Sequence, residues 1–326
     1  MAGEKGGPPS AQDSLVEAAI KVLNTADPWL KASYGDTAAV LWKGGLISHA
    51  YTSNSVLHPP RRPARPDTVT LVSPQSMPKL GKGGSLQSRQ ALLHSLVHIE
   101  SWAIDLSWDI IARFGEAAVM PKQFFDDFVK VAEDEARHFR LLAARLVELG
   151  SSYGALPAHD GLWESAEATS SDIAARLAIE HCVHEVSILG PVGVFTYSYR
   201  KVYVLHMLKQ ARGLDVLPTT ISRFRKGGDN ATADLLQSVV YPEEVSHCAA
   251  GIKWFTYVAL RQVPVTSCLE LVGNSYDNCE AEQVVGAFHT VVRTYFKGAL
   301  KPPFNVEARN AAGFPVSWYL PLAIKE

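Results

Sequence analysis

Two short segments, far apart in the chain, constrain it more than anything else it contains. Glu135-Ala136-Arg137-His138 and Glu244-Val245-Ser246-His247 each set a carboxylate and an imidazole three positions apart. On an α-helix that spacing puts both side chains on one face. The face is apolar on either side: Phe124, Phe128, Val131, Leu142 and Leu149 share it with the first pair, and Val240, Gly251, Trp254 and Val258 with the second. Polar groups of this kind in a core stripe are costly unless something neutralises them, and a divalent metal is the usual answer. A single Glu-x-x-His occurs by chance in many chains as an ordinary surface pair. Two of them, each on a core-facing stripe, point to metal binding.

Helical periodicity supplies two further acids. From Ser85 to Phe114 there is no internal Gly or Pro, which predicts one long helix stopped at Gly115. Its inward stripe runs Leu93, Leu96, Val97, Glu100, Ala103, Ser107, Ile110 and Phe114, with Glu100 where a hydrophobe belongs. Pro121 opens the next helix, which carries Glu135 and His138 and ends at Gly150. A third, beginning near Thr169–Asp172, brings Ala174, Ala178, His181, Cys182 and Glu185 to one side. A fourth follows Gly227-Gly228-Asp229 and carries Glu244 and His247, with Pro242 expected to kink or restart it just before that pair. Four helices thus hold, in order, Glu; Glu-x-x-His; Glu; Glu-x-x-His.

The flanks read more plainly. Asp13 to Asn24 has helical spacing, and Asp27-Pro28 opens a second helix running towards Trp42 and ended by Gly44-Gly45. Residues 53–84 are rich in Pro, Ser and Gly and read as an extended arm over the surface. Its basic run, Arg61-Arg62-Pro63-Ala64-Arg65-Pro66, reads as a solvated linker in preference to a phosphate contact. Glu280 to Leu300 makes a last amphipathic helix, stopped by Pro302-Pro303, after which Phe304, Phe314, Trp318 and Tyr319 are expected to pack back. The expectation is an all-α chain: N-terminal helices and a Pro/Gly-rich arm over 1–84, a four-helix bundle over 85–300 and a tail over 301–326.

One stretch breaks the symmetry of the two halves. Glu185 and Glu244 stand about 25 residues further apart than Glu100 and Glu135 do. The excess falls in 186–210, a segment rich in Val, Tyr and Leu, and its removal makes the halves nearly equal. Valine codons begin GT and one glutamine codon is CAG. Running from Val186 to Gln210, the segment therefore reads either as an insertion or as a retained intron in phase. A membrane hairpin fits poorly, because Gly190-Pro191 and Arg200-Lys201 interrupt a run barely long enough to span.

Composition excludes other classes. The chain has 326 residues and 47% hydrophobic content, enough for a sizeable core. A net charge of −2 argues against a general nucleic-acid or acidic-membrane binder. Cys182, Cys248, Cys268 and Cys279 lie scattered without CxxC spacing, so neither a zinc cage nor a disulfide framework is indicated. Met1 to Gln12 has no apolar secretory core. The expected setting is intracellular and cytoplasmic, with organelle import left open.

His98-Ile99-Glu100, Asp134-Glu135-Ala136-Arg137-His138-Phe139, Pro157-Ala158-His159-Asp160-Gly161-Leu162-Trp163-Glu164, Ala211-Arg212-Gly213-Leu214-Asp215 and Lys301-Pro302-Pro303-Phe304 form a specific set of motifs. Together they resemble the ferritin-like family catalogued as domain of unknown function 455, over roughly 80–315 and more loosely in the N-terminal helices. The resemblance implies a ferritin-like four-helix bundle, and the order of acids and histidines matches that of ferritin-like di-iron and di-manganese carboxylate proteins. In that family the third-helix Glu runs directly into Ala-Arg-Gly-Leu-Asp, whereas here 186–210 follows Glu185. Some relatives in the wider superfamily hydroxylate modified tRNA, which keeps tRNA open as a partner.

If the six side chains meet, Glu100, Glu135, His138, Glu185, Glu244 and His247 hold two metal ions about 3.5–4 Å apart. Glu135 and Glu244 are then the bridging carboxylates, and the mixed ligands suit iron, ahead of manganese. The expected activity is an oxygen-dependent oxidase or hydroxylase acting on an unidentified substrate. No nucleotide-binding Gly loop stands out, so reductant comes from an external electron donor. A ferroxidase or metal-handling protein is one alternative and requires a cage-forming homo-oligomer. A metal-free scaffold or partner-binding bundle is another, should 186–210 distort the third helix. His159, Asp160 and Trp163 are candidates for a pocket or its entrance, with a helix-capping loop and core packing as the plain alternatives. His94, His98, His181 and His184 read as core or surface histidines.

Overall fold

The computed structural model describes residues 7–52, 58–78, 82–186, 213–262, 276–296 and 300–323. All of 186–210 except Val186 therefore lies outside the described residues. Those described form helices and turns with no β-sheet, an isolated bridge between Leu71 and Ala158 apart. In chain order the helices are α1 (Leu15–Leu23), α2 (Pro28–Lys43), α3 (Leu86–Phe114), α4 (Lys122–Glu148), α5 (Gly161–Ala168), α6 (Ile173–Ala178) and α7 (His184–Val186). After these come α8 (Leu217–Lys226), α9 (Asn230–Leu235), α10 (Tyr241–Gln262), α11 (Tyr276–Tyr295), α12 (Val306–Ala311) and α13 (Val316–Ala323). No helix among the described residues is long and apolar enough to cross a membrane.

Local chemistry sets the helix starts. Ser14 and Glu17 make a reciprocal capping box on α1, Asp27 caps α2 ahead of Pro28, and Ser85 caps α3. Asp172 accepts from the backbone N–H groups of Ala174 and Ala175 to start α6. Two π-helical turns are less local in origin. Ile179–Val183 joins α6 to α7, and Leu236–Val240 joins α9 to α10. The second lies directly before Pro242, which has no N–H to give and whose ring crowds the carbonyl one turn back. The helix widens there, and α10 begins at Tyr241 with Glu244 in its first turn and His247 in its second.

The chain divides into two compact units, one of Met1–Glu167 with Thr220–Val240 and one of Ala168–Thr219 with Tyr241–Glu326. In the first, α3 and α4 form a hairpin, with α1 packed on α3 and α2 on α4. The Arg-Pro arm is no solvated linker. Arg65 donates to the Ser101 carbonyl (3.1 Å), the Asp105 carboxylate (2.8 Å) and Tyr153 Oη (3.1 Å), and its guanidinium lies 3.9 Å from the Trp102 ring centroid. Lys31 joins the same acid at 2.6 Å and the Ala64 carbonyl at 2.8 Å. Arg61 pairs with Glu167 and Arg62 with Asp160. Buried Asp105 makes this arrangement necessary, since an ionised carboxylate out of water needs cations beside it. Burial lowers the Lys31 ammonium to about 8 against the pull of Asp105. At the far end, Asp229 accepts from Arg145 (2.8 Å) and from the Thr232 hydroxyl (2.8 Å) and N–H (3.1 Å), tying 220–240 to α4. Burial alone would raise that carboxyl, but these hydrogen bonds hold it below its ordinary value.

In the second unit α10 packs on α6 and on the π-helical turn that follows it. A Cβ on Gly251 would stand 2.1 Å from the His181 carbonyl oxygen, so only glycine admits this approach. After α11 come the short helices α12 and α13, and the aromatic side chains around them pack back as their content predicts. Phe288 of α11 meets Phe255, Phe314 and Trp318 at ring centroid distances of 4.9 to 5.5 Å. Arg309, fully buried, donates to Asp215 and lies 4.0 Å from the Tyr319 ring centroid.

Candidate metal centre

Within the first unit, α3 supplies Glu100 and α4 supplies Glu135 and His138, all three 0% exposed. His138 Nδ1 stands 3.5 Å from a carboxylate oxygen of Glu100 and 3.5 Å from one of Glu135. These separations are too long for hydrogen bonds of normal strength. Two other acids of α3 are as deeply buried, and both are clasped by cations: Asp105 by Lys31 and Arg65, Asp109 by Arg113 at 2.7 Å. Glu100 stands beside the His138 imidazole. Asp134, next to Glu135, points elsewhere, to Lys130 and to Arg137 at 2.8 Å.

Within the second unit, Glu244 and His247 of α10 are buried, with His247 Nδ1 3.8 Å from the Glu244 carboxylate. Glu185 on α7 is 8% exposed and lies near two buried thiols. Burial first, and the Glu185 charge second, push the Cys182 thiol well up; Cys248 is raised likewise by burial and then by Cys182 and Glu185. Both cysteines are free, while Cys268 and the Cys279 side chain lie outside the described residues.

The ligand atoms of Glu100, Glu135, His138 and Glu244 all lie within 4.8 Å of one another, and all four residues are buried. Among the described residues this group does not take in Glu185 or His247. Its chemistry fits a cation. Two ionised carboxylates at that distance repel by about 3–4 kcal/mol at an effective dielectric of ~20. Three such pairs approach the whole stability of a typical domain, about 5–15 kcal/mol. Protons or positive charge must offset this, and a hard oxygen-and-nitrogen donor set is what a divalent ion takes. The cluster is capable of chelating a metal ion.

The remaining sequence candidates have clear surroundings. His159 Nδ1 accepts from the Gly161 N–H at the start of α5, and Asp160 pairs with Arg62. Trp163 stacks on Trp102 at 5.5 Å and belongs to a core cluster with Leu106 and Ala166. His94 accepts from the Gly154 N–H at 3.0 Å, and burial lowers its pKa to about 4. His98 contacts Tyr153, Trp102 and the His159 carbonyl, and burial holds its pKa well below the ordinary value. Periodicity missed Glu180, which is 1% exposed on the π-helical turn with His184 Nε2 at 3.9 Å. A 3.6-residue period turns Glu180 away from Glu185, and the wider turn brings their directions closer.

An all-helical protein with a buried carboxylate and imidazole cluster able to hold metal falls in the ferritin-like class. A family model described as "Protein of unknown function (DUF455)" matches residues 24–190 and 197–320. The chain belongs to that ferritin-like family. It is also 29% identical over 255 residues to an uncharacterized protein of Haemophilus influenzae, covering 77% of this chain and 73% of the relative. No solved structure matches it.

Proposed function

We propose that the protein is a non-haem di-metal carboxylate enzyme, an oxidase or hydroxylase, with iron as the preferred metal. The observation that carries this reading is the buried grouping of Glu100, Glu135, His138 and Glu244 within 4.8 Å. Glu185 and His247 complete the six ligands in the proposal. When bound, a pair of redox-active ions supplies the electrons that O2 takes up as a substrate C–H bond is oxidised. The chain's own residues prepare that setting. Phe124, Phe128, Phe139 and Leu142, all 0% exposed, lie on the helix that carries Glu135 and His138, so charges there are screened less than in solvent. His138 Nδ1 stands 3.5 Å from a carboxylate oxygen of Glu100 and 3.5 Å from one of Glu135, so a cation seated there would take both kinds of donor. The substrate and an external electron donor complete the reaction.

Metal analysis of the purified, iron-reconstituted protein tests the reading. Two ions per chain, falling below one in Glu135→Ala, together with an oxygen-dependent change in the optical spectrum, is the expected result. A reconstituted protein that holds no metal would leave a helical scaffold, and metal without any response to oxygen would favour a metal-handling role.

A further inference from the structure

The chain on either side of 186–210 meets in the geometry of a single helical turn. The Leu214 N–H donates to the Glu185 carbonyl at 2.8 Å. With 186–210 removed, Leu214 becomes the fourth residue after Glu185. A hydrogen bond from the N–H of residue i+4 to the carbonyl of residue i is the repeating bond of the α-helix. Further on, the Gly213 carbonyl accepts from the Val216 N–H at 2.8 Å and from the Leu217 N–H, a bond of the same i+4 kind, at 3.3 Å.

Both flanks are anchored independently of what lies between them. Cys182 and Val183 are 0% exposed on the near side, as are Leu214 and Leu217 on the far side. Asn305 donates to the Leu214 carbonyl at 3.0 Å and, through its N–H, to Asp215 at 2.7 Å; Arg309 donates to Asp215 at 3.0 Å. Of this segment the family model matches 186–190 and 197–210 and leaves out 191–196, so the inference rests on the bond across the join.

We infer that 186–210 is an addition to a fold complete without it, and that a chain joining Glu185 directly to Ala211 continues the helix through the bond Leu214 already makes. The register of the join is the sharp part of this inference. One residue more or fewer replaces the i+4 bond by an i+5 or i+3 bond and rotates everything downstream by about 100°. Loop removal also lowers the entropy cost of bringing Glu185 and Leu214 together.

The test compares the full chain with three deletions, joining Glu185 to Ala211, to Gln210 or to Arg212, all in chelator so that metal plays no part. The expected result is that the Ala211 join melts at or above the full chain and several degrees above both neighbours, with the Leu214 amide slow to exchange in the full chain and in that join. An Ala211 join that fails to fold, melts below the full chain, or does no better than the other two overturns the inference. Because the readout is stability without metal, failure here is distinct from failure of the di-metal reading.

Discussion

At the residue scale, the proposed centre predicts that the Glu100 carboxylate serves metal binding at the expense of stability. It shares a buried site with Glu135 and Glu244, ligand atoms within 4.8 Å, where like charges repel. In metal-free protein Glu100→Gln should therefore raise stability, by ~1–3 kcal/mol in urea unfolding, while lowering metal content. A loss of stability without metal would show that the carboxylate serves the fold. His94 makes a pH prediction. Its folded pKa is about 4 against an ordinary 6.5, so between those values the unfolded chain binds a proton that the folded chain does not. Stability then falls as pH drops from 6.5 towards 4, by about 3 kcal/mol at most. His94→Gln should flatten that slope in pH-dependent melting curves.

At the scale of elements, the π-helical turns and Gly251 act together. Ile179–Val183 widens the helix that carries Glu180 and Glu185, and α10 approaches it so closely at Gly251 that a methyl group has no room. The obstruction is a backbone carbonyl, which cannot turn aside as a side chain can. Gly251→Ala should cost about 2–3 kcal/mol through overpacking, read as a lowered midpoint in urea. A neutral result would mean that α10 can back away from the π-helical turn without loss. The arm is the contrasting case, since its hold on the first unit is electrostatic. Lys31, Arg65 and Asp105 form a buried pairing that only the complete set makes tolerable.

For the whole molecule, the metal and the fold should be linked. A ligand that binds only the folded chain stabilises it by mass action, about 2.7 kcal/mol at a hundredfold excess over Kd. Ferrous ion under anaerobic conditions should raise the melting temperature, and chelator should reverse it. A melting curve indifferent to metal would remove the main support for the centre.

The sequence alone settled whatever depends on neighbours a few residues apart. Ser14, Asp27, Ser85 and Asp172 cap their helices where their side chains predict, because a cap bonds N–H groups two or three residues on. The Glu-x-x-His pairs fall on buried helix faces because the helical period is itself local. Tertiary structure decided the rest. Which acids converge depends on how helices pack, and a π-helical turn, invisible to a 3.6-residue period, buried Glu180 where no pattern foretold it. The arm reads as linker by composition, yet Asp105, buried in a distant helix, draws Arg65 and Lys31 inward. Short-range bonding is written in the order of residues; long-range charge and packing exist only once the chain has folded.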